Sequence, residues 1–191
     1  MKALSDKTNP VQKTDELVDI VDEGNNVIQS ATRAEMRARN AIHRCSFVLV
    51  FNSKGKLFVQ KRVSWKETYP SHFDPCPGGV VGAGESYEDN ARREAEEEMG
   101  VHGVPLHPLF DFFFEDSITR LWGSMFFCVY DGTMVLQKEE VESGEFMDLE
   151  SVKHLILHEP CCPDSKAGFE TFIEEHYNDQ FKILLEESGA G

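Results

Sequence analysis

The segment from Ser86 to Gly100, SYEDNARREAEEEMG, is where local structure is most tightly specified in this chain. Ser86 is a good helix N-cap, with Asp89 three residues on as a capping-box partner. Gly100 supplies the left-handed residue that commonly ends a helix. Between them, at about 100° per residue, Tyr87, Ala91, Ala95 and Met99 make one narrow apolar stripe. Arg92 and Glu96 read as solvent-facing. Glu98 falls inside the stripe, Glu94 lies on its edge beside Tyr87, and Glu97 is further round, one turn after Arg93.

A solvated charge run avoids the buried side of its helix, and Glu98 does not. Glu94 and Glu98 are also i and i+4, where like charges repel, and burying an unpaired carboxylate is costly. Two readings of these residues remain open. In one, structural ion pairs such as Arg93 with Glu97 absorb the charge. In the other, the carboxylates hold a divalent cation, and Mg2+ suits hard oxygen ligands and substrate phosphates.

The rest of the chain mixes strands with a few helices, which implies an α/β or α+β domain. LVDIVDEGNNVIQSAT reads as two short strands around a turn, and RAEMRARNAI as a short helix. CSFVLVFNSKGKLFVQKR is a stronger hairpin, and YPSHFDPCPGG is a loop. Strands are expected over about 104–115 and 120–130, and GEFMDLESVKHLI as a strand end leading into a helix. One amphipathic helix is expected to close the chain from Cys162. At 191 residues this is one domain, taken as 15–188 after a flexible segment over 1–14.

The net charge of −15 argues against nucleic acid or an anionic membrane as the main partner. It leaves room for a small phosphorylated ligand, because a bound metal reverses the local sign. Cys45, Cys76, Cys128, Cys161 and Cys162 are odd in number and lack a Cys-x-x-Cys spacing, so reduced thiols are expected. No secretory signal, transit-like leader or bilayer-length apolar run is evident, and the expected location is cytoplasmic.

From Gly79 the chain reads GVVGAGESYEDNARREAEEEMGV. Five residues separate Gly79 from Glu85, seven separate Glu85 from Arg93, and Glu94, Glu97, Glu98, Gly100 and Val101 follow. This resembles the Nudix box, G-x5-E-x7-R-E-U-x-E-E-x-G-U, over 79–101, with Ala95 smaller than usual at the first U position. The resemblance implies an α/β fold, an α/β/α sandwich around a mixed sheet, here extended by an N-terminal β-hairpin. It implies hydrolysis of a small diphosphate-containing metabolite, such as a nucleoside diphosphate derivative, with Mg2+ (or Mn2+) as cofactor. Carried over, Glu94, Glu97 and Glu98 are metal ligands, and Glu94 or Glu98 alternatively serves as base. Arg93 orients the glutamates, Glu85 braces the loop, and the carbonyl of Gly78 or Gly79 adds a ligand.

NSKGKLFVQKR, KETYP and DIVDEGNNVI further resemble the branch containing isopentenyl diphosphate isomerase and hydrolases similar to it. The isomerase is the competing function. Its catalytic cysteine position is Gly78 here and its following histidine is Val80, with Cys76 two residues too early. His43 matches one metal-binding histidine, but Met36 stands for its partner. A catalytically silent module that binds a nucleotide or a protein is a third reading.

Arg44, Lys61, Arg62 and Lys66 are candidates to grip phosphates, against the alternative of ordinary surface charges. Trp65, Tyr69 and Trp122 are candidates for base stacking or for core. Glu115, and Glu139, Glu140, Glu142 and Glu145 in a charged loop, are candidate bases. Cys161 and Cys162 are either a redox pair or two ordinary cysteines. The N-terminal hairpin offers a surface for a homodimer.

Overall fold

The computed structural model describes residues 15–189, and the expected flexible segment 1–14 lies outside them. Strand β3 (Ile42–Phe51) is the spine of the sheet. It pairs in parallel with β8 (Arg120–Val129) along its whole length and antiparallel with β6 (Gly78–Val80). It also meets β1 (Leu17–Val21) and β4 (Leu57–Arg62). β2 (Val27–Thr32) pairs with β1, and β7 (His107–Glu115) with β8. β5 (Phe73–Asp74) and β9 (Val141–Met147) flank β4. Parallel and antiparallel pairs coexist, so the sheet is mixed.

β3 is apolar on both faces, and its alternation divides the core. Val48 and Val50 point to one side, where they meet Ala91, Ala95 and Met99 of α2 (Tyr87–Met99). Phe47, Leu49 and Phe51 point to the other, into a cluster shared with α3 (Leu149–His158), α4 (Pro163–Thr171) and α5 (Asp179–Gly189). Helices on both faces of a mixed sheet make the expected α/β/α sandwich. The N-terminal hairpin continues the sheet, with β2 at its edge and Val27 and Ile28 exposed.

Three expectations are corrected. The stretch read as a charged loop contains β9, an edge strand whose Glu142 and Glu145 are exposed while Val141 is buried. The YPSHFDPCPGG loop contains the short strands β5 and β6. The final helix is broken: α4 passes through a π-helical turn, Phe172–His176, and α5 begins after Asn178. In an unbroken helix Phe172 and Phe181, nine residues apart, would lie about half a turn apart on opposite faces. The break lets both rings enter the core, with centroids 4.9 Å apart.

Candidate active site

Helix α2 begins at Ser86, whose Oγ accepts from the N–H of Asp89, and ends at Gly100 in the left-handed conformation, φ 72°. The Asp89 carboxylate accepts from the Ser86 hydroxyl rather than closing a full capping box. Its stripe packs on β3, and this turns the adjacent carboxylates inward. Glu94 and Glu98 are each only 5% exposed, whereas Glu96 and Glu97 are exposed.

The loop before α2 is tied down by side chains rather than by apolar packing. Glu85 receives Arg93 through Nε at 3.0 Å and Nη2 at 3.2 Å. It also accepts from the Gly82 N–H and the Asn90 amide, both at 2.9 Å. Burial pushes the Glu85 carboxyl up, but these donors outweigh it and hold the group below its ordinary value. Arg93 then extends Nη1 to Glu94 at 2.7 Å and to Glu97 at 3.3 Å. One guanidinium thus links three other sequence-predicted residues, Glu85, Glu94 and Glu97.

Glu94 and Glu98 line a cavity of about 510 Å3 together with Gly78, Gly79, Arg62 and Lys66. Glu98 is held by the Gln60 amide, Nε2 to Oε2 at 2.9 Å, with Lys66 Nζ 3.5 Å from its other oxygen. Lys66 also pairs with Glu140 at the cavity wall. Arg62 is nearly buried, with Nη2 donating to the Thr68 carbonyl at 3.2 Å and Nη1 3.7 Å from Asp74. Its Nε–H is buried without a partner. The Gln60 Oε1 beside Glu98 is likewise buried and unpartnered.

This donor set fits a hard divalent cation: two buried carboxylates facing a glycine backbone, with an unsatisfied amide oxygen behind them. Among the described residues no three His, Cys, Asp or Glu side chains converge as a ready-made metal group. Arg93 bridges Glu94 and Glu97, and Lys66 approaches Glu98, so a cation has to displace these positive charges. Glu97 is on the exposed flank of α2 and is not a lining residue of the cavity.

Other expectations separate by position. Arg44 is outside the cavity lining: its Nε donates to Asn25 Oδ1 at 2.8 Å, its Nη2 to the Asn25 carbonyl at 2.7 Å, and it lies over the Tyr87 ring. It fastens the first hairpin to α2. Lys61 pairs with Glu142 and covers Phe73. Glu115 pairs with Arg120 within the β7–β8 hairpin, and Trp122 packs against Phe113. Trp65 and Glu139 do reach the cavity, joined by an indole N–H to carbonyl bond of 3.1 Å. So does Tyr69, whose left-handed backbone (φ 49°) is held by its hydroxyl donating to Asp116 at 2.8 Å.

The isomerase comparison fares poorly. His43 is buried, with Nδ1 3.1 Å from the Ala41 carbonyl, and burial pushes its pKa down to about 4. Met36, in place of the second histidine, packs with Val18, Ile20 and Ala31. All five cysteines are free thiols, and burial raises Cys161 to about 11 and Cys162 well above the ordinary range. That leaves neither as an activated thiolate.

Sequence reasoning missed Gln60, which supports Glu98 from behind, and four residues that line the cavity: Asp74, Asp164 and, on α1 (Arg33–Ala38), Arg33 and Arg37. Gln60 was detectable as the one uncharged polar side chain in the apolar β4 run. Asp164 is pushed up to about 6 by burial and by Asp74, a pairing only tertiary structure creates.

A family model described as NUDIX domain matches residues 41–163. An uncharacterized Nudix hydrolase of Pseudomonas aeruginosa is 40% identical over 159 residues, spanning 83% of this chain and 94% of that protein. An uncharacterized Nudix hydrolase of Yersinia pestis is 44% identical over 137 residues, spanning 72% and 75%. Among solved structures, DR0079 from Deinococcus radiodurans matches with a TM-score of 0.72 at 25% identity, covering 85% of this chain and 100% of that one. The MutT protein from Methanosarcina mazei Go1 shares the fold, with a TM-score of 0.62 at 23% identity over 72% and 96%. The box, the sandwich that carries it and these relatives agree, and the chain belongs to the Nudix family as one of its hydrolases.

Proposed function

We propose that this protein hydrolyses a small diphosphate-containing metabolite, such as a nucleoside diphosphate derivative, by water attack at phosphorus with Mg2+ (or Mn2+). The observation that carries the reading is the pair Glu94 and Glu98. Two carboxylates one helical turn apart, each 5% exposed and both facing one cavity, need positive charge beside them; Arg93 and Lys66 supply it in this structure, and a divalent cation would serve both at once. When bound, the metal supplies neutralisation of the phosphate oxygens and a more acidic water.

The chain's own residues do the rest. Glu94 and Glu98 would hold the cation, with the Gly79 carbonyl and Glu97 as further ligands. Gln60 keeps the Glu98 carboxylate in place, and Glu85 fixes Arg93. Arg62 offers its unpartnered buried Nε–H to a phosphate oxygen, and Lys66, 3.5 Å from Glu98, would bind the same anion. A neighbour of similar fold, the NUDIX domain of Shewanella oneidensis NrtR at 18% identity, is described as complexed with ADP ribose, which makes such diphosphates a starting panel.

The test is a screen of diphosphate compounds with Mg2+, reading released phosphate products and isopentenyl diphosphate isomerisation in parallel, with Glu98→Gln as control. Hydrolysis that the substitution removes is the expected result. Isomerisation without hydrolysis would overturn the reading, and so would full activity in Glu98→Gln. Absence of turnover, with ligand-dependent thermal stabilisation retained, would make the protein a silent binding module.

A further inference from the structure

The cavity wall formed by α1 is not explained by diphosphate hydrolysis. This protein is poor in cations, with 19 lysines and arginines against 34 acids. Even so, Arg33, Arg37, Arg62 and Lys66 all line one cavity. Arg33 and Arg37 are i and i+4 on α1, so their side chains leave the same helix face. The helix is held at its start by a capping box between Thr32 and Glu35, and in its middle by buried Met36. Burial first, and then the neighbouring charges of Arg33 and Arg62, depress the Arg37 pKa. Arg33 and Arg37 thus leave one helix face into a cavity that Arg62 also lines, so one anion there can meet all three.

We propose that Arg33 and Arg37, with Arg62, form an anion-reading wall that selects diphosphates bearing a second negative group, a phosphate or a carboxylate, on the attached moiety. The proposal rests on the functional reading above and deepens it to a substrate class. Each arginine has a carboxylate neighbour: Arg33 pairs with Glu16 at 3.0 Å, Arg37 with Glu67, and Arg62 approaches Asp74 at 3.7 Å. Those carboxylates leave capacity, because a guanidinium carries five N–H donors and binds oxyanions in a fork. Glu67 is on the rim, with 59% of its side chain exposed, and is easily released to water. Asp74 is committed elsewhere, its Oδ1 accepting from the Ser165 hydroxyl at 2.6 Å and from the Cys76 N–H. The same space is also lined by acids: Glu94 and Glu98 belong to the cation site and Glu140 pairs with Lys66, which leaves Glu139 and Asp164 to oppose the assignment, and burial together with Asp74 pushes the Asp164 carboxyl up to about 6. A neutral sugar or base makes little use of the remaining guanidinium donors, whereas a second anion binds them in a fork.

Matched pairs of substrates test this. ADP-ribose is compared with ADP-ribose 2′-phosphate, and UDP-glucose with UDP-glucuronate, in kcat/KM with Mg2+ and by calorimetric binding to metal-free protein in EDTA. The wild type is expected to favour the more charged member of at least one pair by tenfold or more. The phosphate pair and the carboxylate pair separate the two sources of charge. Arg37→Gln and, separately, Arg33→Gln are expected to bring that ratio to within about twofold of one, and Arg37→Lys to restore part of it. Among the described residues Arg37 pairs with rim-exposed Glu67, so its substitution keeps the test independent of the hairpin contact made by Arg33. Equal treatment of both members by the wild type would overturn the proposal, as would a preference that survives both substitutions. Discrimination in metal-free binding without any turnover would sustain the anion wall while removing the hydrolase reading. Turnover without discrimination in either measurement would do the reverse.

Discussion

A Cβ built on Gly79 would lie 2.4 Å from the carboxyl carbon of Glu94, so the loop backbone and the helix carboxylate occupy positions that no other residue type at 79 allows. The contact is with the end of a flexible side chain. Gly79→Ala is therefore expected to displace the carboxylate rather than unfold the loop. Activity should fall roughly a hundredfold, the order that follows a misplacement of about 1 Å at a reacting centre. The melting temperature should move by no more than a few degrees. Loss of folding together with activity would show that the close approach serves stability instead.

Glu98 and Gln60 give a second test. Gln60→Leu removes the donor that fixes Glu98 and also the unpartnered Oε1. A drop in kcat/KM of about 10–100-fold is expected, the usual effect of losing a group that orients a ligand. Titration of Mg2+ should show weaker thermal stabilisation than in the wild type. Unchanged Mg2+ dependence would remove Gln60 from the site.

Cation binding itself is measurable without a substrate. Mg2+ at about a hundred times its Kd stabilises a folded protein by about 2.7 kcal/mol when the unfolded chain does not bind it. Wild-type protein should show a rise in melting temperature with Mg2+, and Glu94→Gln with Glu98→Gln should abolish it. The same double substitution should not raise the melting temperature without metal, because it also takes the carboxylate partners from Arg93 and Lys66. A metal response that persists in the double variant would place the cation elsewhere.

How much of this was legible depends on the range of the interaction. The α2 helix was readable because its cap, stripe and C-terminal glycine are all local, and the wheel separated buried Glu94 and Glu98 from exposed Glu96; it left Glu97 between them, and the structure exposes it. The box spacing brought Glu85 and Arg93 together, and the structure joins them directly. β9 was hidden because an edge strand keeps charges on its open side and so lacks an apolar run. The break between α4 and α5 was hidden because each segment is helical in pattern, and only the shared core decides that Phe172 and Phe181 must face the same way. Arg44 carried no local sign that its partner is Asn25 in a hairpin turn.

That Arg44 contact makes a prediction opposite to the one its charge suggests. Its guanidinium joins the Asn25 side chain and carbonyl and covers Tyr87, so Arg44→Ala is expected to cost about 1–3 kcal/mol of stability. Because Arg44 does not line the cavity, the Michaelis constant for a diphosphate substrate should be nearly unchanged. An increase of tenfold or more, with stability intact, would return Arg44 to the substrate site.

The buried imidazole of His43 sets a pH dependence. Burial lowers its pKa from 6.5 to about 4 in the folded protein. Between those values the unfolded chain binds the proton and the folded one does not, so stability rises with pH across the window. The contribution is fully present above about pH 6.5 and is lost as pH falls towards 4, amounting to about 3 kcal/mol at 1.36 kcal/mol per unit. Asp164 works in the opposite direction, since its carboxyl is raised from 3.8 to about 6 and its ionisation disfavours the folded state as pH rises through that value. His43→Asn keeps an N–H to offer the Ala41 carbonyl while removing the titration. Denaturant unfolding of both proteins from pH 7 to pH 4.5 should show the wild type losing stability relative to the variant as the pH falls. A constant difference across that range would mean that His43 is protonated in the folded protein, with a charge the structure leaves without a carboxylate hydrogen-bonded to it among the described residues.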